Sequence, residues 1–190
     1  SNILGDINYA HSMFSFPIQP ARFYRINRSI ENGGGALWDI GPYAIHTLRQ
    51  CFKENPIRVK AIAKLNEHGA DISTTGLIDF GNNKRATFDI SFECTRRSEF
   101  EAFGPLGRVK CPTVWQPEDK QAKIIINTES SGLTEEVVPA ANHFILEVNH
   151  FNKIINSDIS PKLTNEDALW NAKTLESIEQ SIKADSWVNL

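Results

Sequence analysis

Two side chains that could hold or move a proton, Asp39 and Tyr43, stand four residues apart behind three consecutive glycines, residues 33–35. Pro42 lies between them and suits only the first turn of a helix, where its missing N–H is not needed. We therefore place Asp39 at or near a helix N-cap and Tyr43 in the opening turn. There, the phenol could exchange a proton with a substrate hydroxyl that Asp39 holds by a charge-assisted hydrogen bond.

A plainer interpretation fits the same residues. Asp39 would only cap the helix, Tyr43 would only pack, and the glycines would form a loop; spacing alone favours this interpretation, because short motifs often match by chance. His46 comes three residues after Tyr43, so both side chains project to one side of the helix. It is either a structural histidine or a substrate contact.

Four stretches together carry a resemblance: Gly-Gly-Gly-Ala-Leu-Trp-Asp-Ile-Gly-Pro-Tyr (33–43), Tyr24-Arg25, and the tail segments 138–144 and 163–168. They resemble the C-terminal domain of the Gfo/Idh/MocA family of nicotinamide-dependent oxidoreductases, from about Ile3 to the C-terminus. Much of that family has histidine where this chain has Tyr43. The tyrosine form is nearest to the glucose-fructose oxidoreductase and dihydrodiol dehydrogenase branch.

The resemblance implies a function and a set of roles. The chain would be the substrate-binding and catalytic half of an NAD- or NADP-dependent oxidoreductase acting on a secondary alcohol of a sugar, polyol or cyclic diol. Tyr43 would accept the hydroxyl proton and Asp39 would orient it, beside a lysine of a separate nucleotide domain. His46 and Arg25 are the expected substrate contacts, and Gly34, Gly35 and Arg25 the expected cofactor contacts. Tyr24 departs from the tryptophan that family members have before this arginine.

Two other functions remain open. The scaffold could host a nicotinamide-dependent glycoside cleavage by elimination, which would release a free sugar with no net change in NADH absorbance. Alternatively, the domain could be a non-catalytic binding or oligomerisation module, in which case Asp39→Asn would leave activity unchanged. The fragment alone is expected to be inactive under every hypothesis.

The amino-acid composition limits the kinds of binding partner and the cellular compartment that we expect for this protein. The 190 residues are 41% hydrophobic and 23% charged, with a net charge of −3 and pI near 6.0. Such a chain suits one domain, residues 3–190, with Ser1-Asn2 as a tag remnant on a piece of a longer protein. Because the chain has no dense basic cluster and no apolar run of ~20 residues, we expect a soluble protein with no nucleic-acid or membrane partner.

The cysteines and histidines indicate neither disulfides nor a metal site. Three cysteines without a CxxC pair indicate reduced thiols in a cytoplasm. No cluster of potential ligands suggests a metal.

The hydrophobic pattern predicts an α+β domain with a mainly antiparallel, open-faced sheet and helices packed on one face. Predicted strands cover residues 6–16, 57–65, 72–80, 86–94, 99–103, 107–111, 123–127 and 133–138, and predicted helices run over 40–52, 143–156 and from Thr164 onward. Asn142 is the expected N-cap of the second helix, and Thr164, with Asp167 three residues later, that of the third. The polar sheet face suggests a homo-oligomer. No GxGxxG fingerprint occurs, so we expect the Rossmann domain, the other intramolecular partner, outside this chain.

Overall fold

The computed structural model describes residues 3–115, 120–156 and 159–190, so the proposed tag remnant Ser1-Asn2 lies outside the described residues. Its strands are β1 (Tyr9–Ser15), β2 (Arg58–Leu65), β3 (Asp71–Gly81), β4 (Lys84–Ser91), β5 (Arg97–Gly104), β6 (Gly107–Cys111), β7 (Ala122–Thr128), β8 (Gly132–Val138) and β9 (Val188–Asn189). Its helices are α1 (Ala36–Asp39), α2 (Gly41–Phe52), α3 (His143–Ile155) and α4 (Asn165–Ala184). Short 3-10 turns at Pro20–Arg25 and Ile30–Asn32 precede α1.

Within the described residues the strands form a single sheet in the order β8-β7-β6-β5-β1-β4-β3-β2-β9. Every neighbouring pair is antiparallel except β1 and β4, which run parallel with Phe14 opposite Ile90. Short hairpin connections force antiparallel neighbours, whereas the chain between β1 and β4 is long enough to return in the same direction. The predicted fold class, an α+β domain with a mainly antiparallel open sheet, is confirmed.

One face of the central strands builds the core against α2 and α4. Strand residues alternate in burial, so that Phe14 of β1 and Phe88 of β4 are fully buried. Leu48 of α2 and Ile178 of α4 meet this face and are also fully buried. Burying side chains of this size stabilises the fold by about 1.5–3 kcal/mol each, so this layer holds α2 and α4 on the sheet.

The predicted N-caps of the last two helices are confirmed. The Asn142 side chain accepts a hydrogen bond from the Ile145 N–H at 3.1 Å, and Thr164 accepts one from the Asp167 N–H at 3.2 Å. Each cap satisfies a backbone donor that the first turn leaves without a partner.

The position of α3 differs from the expectation that all helices pack on one sheet face. None of its residues is buried, and the apolar stripe Phe144, Val148, Phe151 and Ile155 is about 60% exposed, from 58% to 63%. Periodicity predicted the helix correctly, but α2 and α4 are the helices that pack on the central strands. The apolar stripe of α3 is left exposed among the described residues.

The opposite sheet face carries opposite charges on neighbouring strands. Arg58 pairs with Asp79 at 2.8 Å and Lys64 with Glu93 at 2.6 Å, and Arg97 pairs with Asp89. Exposed pairs of this kind contribute at most about 1 kcal/mol, so they suit a surface that is either solvated or joined to a second subunit. The predicted homo-oligomer stays a prediction.

No helix in the described ranges combines the length and apolar character that crossing a bilayer requires. The three cysteines are free thiols; Cys51 and Cys111 are partly buried, and burial raises the pKa of the Cys51 thiol to about 11. Such a thiol stays protonated at neutral pH and behaves as a packing residue. Cys94, in contrast, is exposed.

Candidate active site

The triple glycine forms a turn that only glycine fits. Gly35 has φ +96°, a left-handed value, and a Cβ at this position would lie 1.9 Å from Asp71 Oδ1. At Gly34 an added Cβ would lie 2.0 Å from the Arg28 carbonyl oxygen. Both glycines are buried, and their N–H groups donate to the carbonyls of Ser29 and Arg25 at 3.0 and 2.8 Å. Close packing against the protein therefore accounts for both glycines, and their contact with a cofactor stays a prediction.

A buried carboxylate that the sequence analysis did not single out holds this turn. Asp71 Oδ2 accepts hydrogen bonds from the Leu37 N–H at 2.9 Å and the Thr74 hydroxyl at 2.7 Å, while Oδ1 is buried without a partner. Burial raises the pKa of Asp71 to about 6, against the opposing effect of these two hydrogen bonds. Asp71 thus ties β3 to the first turn of α1 and orients the segment that leads to Asp39.

Asp39 lies directly before the N-cap of α2, as predicted, but its side chain does not cap that helix. It is the last residue of α1, and Ile40, which has no side-chain capping bond, takes the N-cap of α2. The chain makes a separate helical turn before α2, which the sequence pattern did not reveal. The Asp39 carboxylate instead forms an ion pair with Arg25, from the 3-10 turn upstream. Two of the predicted site residues, Arg25 and Asp39, are therefore in contact.

Tyr43 lies in the first turn of α2, as predicted, and is 46% exposed. Its ring meets Phe14 edge-on, with 5.7 Å between ring centroids, so the core fixes one side of the phenol. The hydroxyl has no hydrogen-bond partner among the described residues. A tyrosine with a packed ring and an unpartnered, accessible hydroxyl is available to a substrate.

A groove of about 470 Å³ runs beside Tyr43, between the start of α2 and the face of α4. It is lined by Trp38, Pro42, Tyr43, His46, Leu163, Asp167, Ala168, Asn171, Ala172 and Leu175. Apolar side chains form most of its wall, with a few polar groups at defined points, which is typical of small-molecule sites. The structure brings Tyr43 and His46 to this groove, whereas Arg25 and Asp39 do not line it.

Three polar residues of the groove were missed as site residues. Trp38 donates its indole N–H to Glu179 at 3.0 Å, and Asn171 donates to the Pro42 carbonyl at 3.2 Å, which joins α4 to the first turn of α2. Asp167 Oδ2 lies 3.4 Å from His46 Nδ1. Asp167 and Asn171 are one helical turn apart, so the motif at 163–168 contained the signal once its helix was known to face α2.

No cluster of three or more potential metal-binding side chains occurs in the described part of the chain. The chemistry available at the groove is that of a phenol, an imidazole and a carboxamide, with an Arg25–Asp39 ion pair in the segment that leads to α2. These groups can bind a hydroxyl or carbonyl and exchange a proton with it.

A family model described as the GFO/IDH/MocA C-terminal domain matches residues 1–110, more than half of the chain. The chain belongs to the GFO/IDH/MocA family. The family resemblance inferred from the glycine turn and Tyr43 is thereby confirmed. The match includes β1, the glycine turn, α1 and α2, which are the elements that carry the predicted site residues.

Proteins that are similar in sequence to this chain include dehydrogenases of a diol and of a sugar. The trans-1,2-dihydrobenzene-1,2-diol dehydrogenase of Xenopus tropicalis is 28% identical over 65% of this chain and 36% of its own length. The D-xylose 1-dehydrogenase (NADP(+)) 2 of Haloferax volcanii is 22% identical over 98% of this chain and 57% of its own length. The chain thus spans about a third of the length of the first relative and just over half of the length of the second.

Among solved structures, the fold resembles that of KijD10, a 3-ketoreductase from Actinomadura kijaniata in complex with NADP and TDP-benzene. The TM-score is 0.83 at 22% identity, and the match covers 95% of this chain and 55% of KijD10. At this identity the likeness establishes the fold alone. It agrees with the open sheet and helix arrangement described above.

Proposed function

We propose that this chain is the substrate-binding and catalytic half of an NAD(P)-dependent oxidoreductase that acts on a secondary alcohol of a sugar, polyol or cyclic diol, or on the corresponding carbonyl in reverse. The observation that carries the proposal is Tyr43. Its hydroxyl is accessible, has no partner among the described residues and borders a groove of small-molecule size. The diol and sugar dehydrogenases among the relatives support the substrate class.

In the oxidative direction, Tyr43 acts as the phenolate, after its own proton has passed to solvent, and its Oη takes the proton of the substrate hydroxyl as the carbinol C–H bond breaks. In the reductive direction, the same oxygen returns the proton to the new alkoxide. A bound NAD or NADP would accept the hydride in the first case and supply it in the second. The packed contact of the Tyr43 ring with Phe14 holds the oxygen in place during either transfer. Positioned acids and bases of this kind contribute about 10²–10⁴-fold in rate.

Arg25 and Asp39 act together in this scheme. The ion pair uses Asp39 Oδ1. Although Asp39 does not line the groove, its Oδ2 would orient a hydroxyl of a substrate that extends beyond the groove. Arg25 is 30% exposed at its side chain, so its remaining donors could meet a phosphate or carboxamide of the cofactor. Gly34 and Gly35 would contribute by keeping this turn in place, because their N–H groups are already used within the protein.

The rest of the proposed enzyme lies outside this chain. The nucleotide-binding part would be a Rossmann domain in the remaining half that the relatives possess, and it would bring a lysine beside Tyr43. We also propose association of two or more copies through the open sheet face. A cytoplasmic location belongs to the same proposal, because free thiols suit a reducing compartment.

The proposal is tested by Tyr43→Phe in the protein that carries both domains. The substitution keeps the ring and its packing but removes the proton-transferring oxygen. We expect kcat to fall by about 10²-fold or more while the affinity for NAD(P) changes little. Steady-state rates with a panel of sugars and diols, followed by NAD(P)H absorbance, measure the first quantity, and fluorescence titration measures the second.

Tyr9→Phe is the matched control. The Tyr9 hydroxyl is bonded to Thr87 on the sheet at 2.6 Å, so its loss should leave kcat within a factor of two or so. Retained kcat in Tyr43→Phe would contradict the proposal and assign the proton transfer to another group, with His46 the first candidate. Release of free sugar without net NAD(P)H change would favour the elimination chemistry instead.

A further inference from the structure

The first turn of α4 holds a carboxylate, that of Asp167, between the core and the groove. Asp167 Oδ1 accepts from Arg49 Nη2 at 3.1 Å and from Gln50 Nε2 at 2.9 Å, and its backbone carbonyl accepts from Arg49 Nη1 at 2.9 Å. Its second oxygen, Oδ2, lies 3.4 Å from His46 Nδ1. One carboxylate oxygen is thus anchored, and the other faces the imidazole.

Arg49 explains why this anchor is rigid. The side chain is only 4% exposed, and it also donates to Asn55 Oδ1 at 3.0 Å. Burial lowers the pKa of the Arg49 guanidinium, and the Asp167 carboxylate acts in the opposite direction. A buried cation requires a nearby anion, so Asp167 cannot turn away without leaving an uncompensated charge. The Thr164 cap fixes the same turn through the Asp167 N–H.

We propose that Asp167 is a positioning residue that holds the imidazole of His46 with Nδ1 protonated toward the carboxylate and Nε2 free to accept a hydrogen bond from a substrate hydroxyl in the groove. A neutral imidazole carries one proton, and a neighbouring carboxylate decides which nitrogen bears it. His46 and Tyr43 line the same groove, so His46 holds the hydroxyl while Tyr43 exchanges its proton. The substrate-binding role of His46 rests on the proposed function above. The position of the proton on His46 Nδ1 does not depend on that function.

The test is the protonation pattern of His46 in Asp167→Asn, read from nitrogen-15 NMR of histidine-labelled protein in mildly alkaline buffer. Arg49 and Gln50 both donate to Oδ1, so the amide oxygen of the new side chain takes that place. Its NH₂ group then faces His46 Nδ1, which must become the acceptor. We expect Nδ1–H in the wild type and a switch to Nε2–H in the variant, with the His46 signal assigned by its loss in His46→Gln.

Glu166→Gln is the matched control, because it removes the same charge from the same turn at an exposed residue. It should leave the tautomer of His46 unchanged. The inference is overturned if Asp167→Asn leaves the tautomer as in the wild type, or if Glu166→Gln produces the same switch. If Asp167→Asn does not fold, Arg49→Met combined with Asp167→Leu removes the buried charges together, and retention of the Nδ1–H form there would equally overturn the inference.

Kinetics in the two-domain protein separate this inference from the proposed function. Asp167→Asn should raise KM about tenfold or more with a smaller change in kcat, whereas Tyr43→Phe should mainly lower kcat. A tautomer switch together with retained turnover in Tyr43→Phe would uphold the positioning role and reject the proposed function. An unchanged tautomer together with lost turnover in Tyr43→Phe would do the reverse.

Discussion

Helices α2 and α3 are nearly the same length, 12 and 13 residues, and both repeat apolar residues at helical spacing, yet the fold treats them in opposite ways. Six residues of α2 are buried, including Leu48 and Arg49, while α3 has none. The strand before each helix repeats the contrast, since β1 is largely buried and β8 is exposed along its whole length.

The contrast between α2 and α3 distinguishes stability that comes from a packed core from stability that comes from local hydrogen bonds. On the buried face of α2, side chains pack closely against the sheet and α4, so a substitution on that face is felt by the whole domain. Around β8 and α3, local hydrogen bonds and caps hold the backbone with no packed layer behind them in the described structure. Substitutions in the α2 region should therefore change global unfolding, and equivalent ones in the β8–α3 region should not.

The largest difference should come from two glycines with positive φ. Gly35→Ala would force a Cβ against Asp71 in addition to the backbone strain, and we expect it to lower the free energy of unfolding by about 4 kcal/mol or more. Gly132→Ala, before β8, has φ +66° and no atom within 4 Å of the new Cβ, so it should cost about 1 kcal/mol. Urea unfolding of both variants measures the difference, and equal costs would contradict the packing described for the turn.

The second largest difference should come from truncating one apolar side chain in α2 and one in α3. Leu48→Ala would leave a cavity in a fully buried site and should cost about 2–5 kcal/mol. Phe151→Ala removes a larger side chain that is 60% exposed, and it should change the stability of this chain by no more than about 0.5 kcal/mol. Thermal or urea unfolding compares them. A large cost for Phe151→Ala in dilute protein would mean that α3 packs in solution.

Asp71, which ties β3 to α1, should make stability depend on pH. The Asp71 pKa is raised from 3.8 to about 6 in the fold, so the folded state binds more protons than the unfolded state between these values. Stability from this group is therefore present below about pH 4 and is lost as pH rises toward 6, by about 2 kcal/mol. The difference in unfolding free energy between wild type and Asp71→Asn should show this slope.

The matched control for that slope is Glu135→Gln in β8, where the exposed carboxylate pairs with Lys123 at 2.8 Å. This variant should follow the wild-type pH curve. If the unfolding free energies of wild type and Asp71→Asn ran parallel from pH 4 to 6, Asp71 would bind protons equally in the folded and unfolded states, which would contradict the raised pKa.

The smallest expected difference in stability is between variants that remove the N-caps of α4 and α3. Thr164→Ala should lower global stability by about 1 kcal/mol, because α4 is packed on the sheet. Asn142→Ala should instead reduce hydrogen-exchange protection in α3 and leave the global unfolding midpoint unchanged. A shift of that midpoint by Asn142→Ala would couple α3 to the core.

Much of the site was accessible from sequence, because its signals are local. Pro42 marks the first turn of α2, so Tyr43 could be placed there before any coordinates were known. The pairing of Arg25 with Asp39 was not accessible, because it depends on how the 3-10 turn folds back on α1. Asp71 and Asp167 were missed as site residues for the same reason: Asp71 lies 34 residues from Leu37, and Asp167 lies 118 residues from Arg49.

The sequence by itself determined the alternation of strands, the caps of α3 and α4, the start of α2 and the family, since each depends on residues within a few positions of one another. Only the tertiary structure decided that β1 pairs in parallel with β4, that α2 is covered and α3 is not, and that Asp167 reaches His46. Those features depend on which apolar faces meet first and fill the available sheet surface. Periodicity records that a face is apolar, but it does not record which surface covers it.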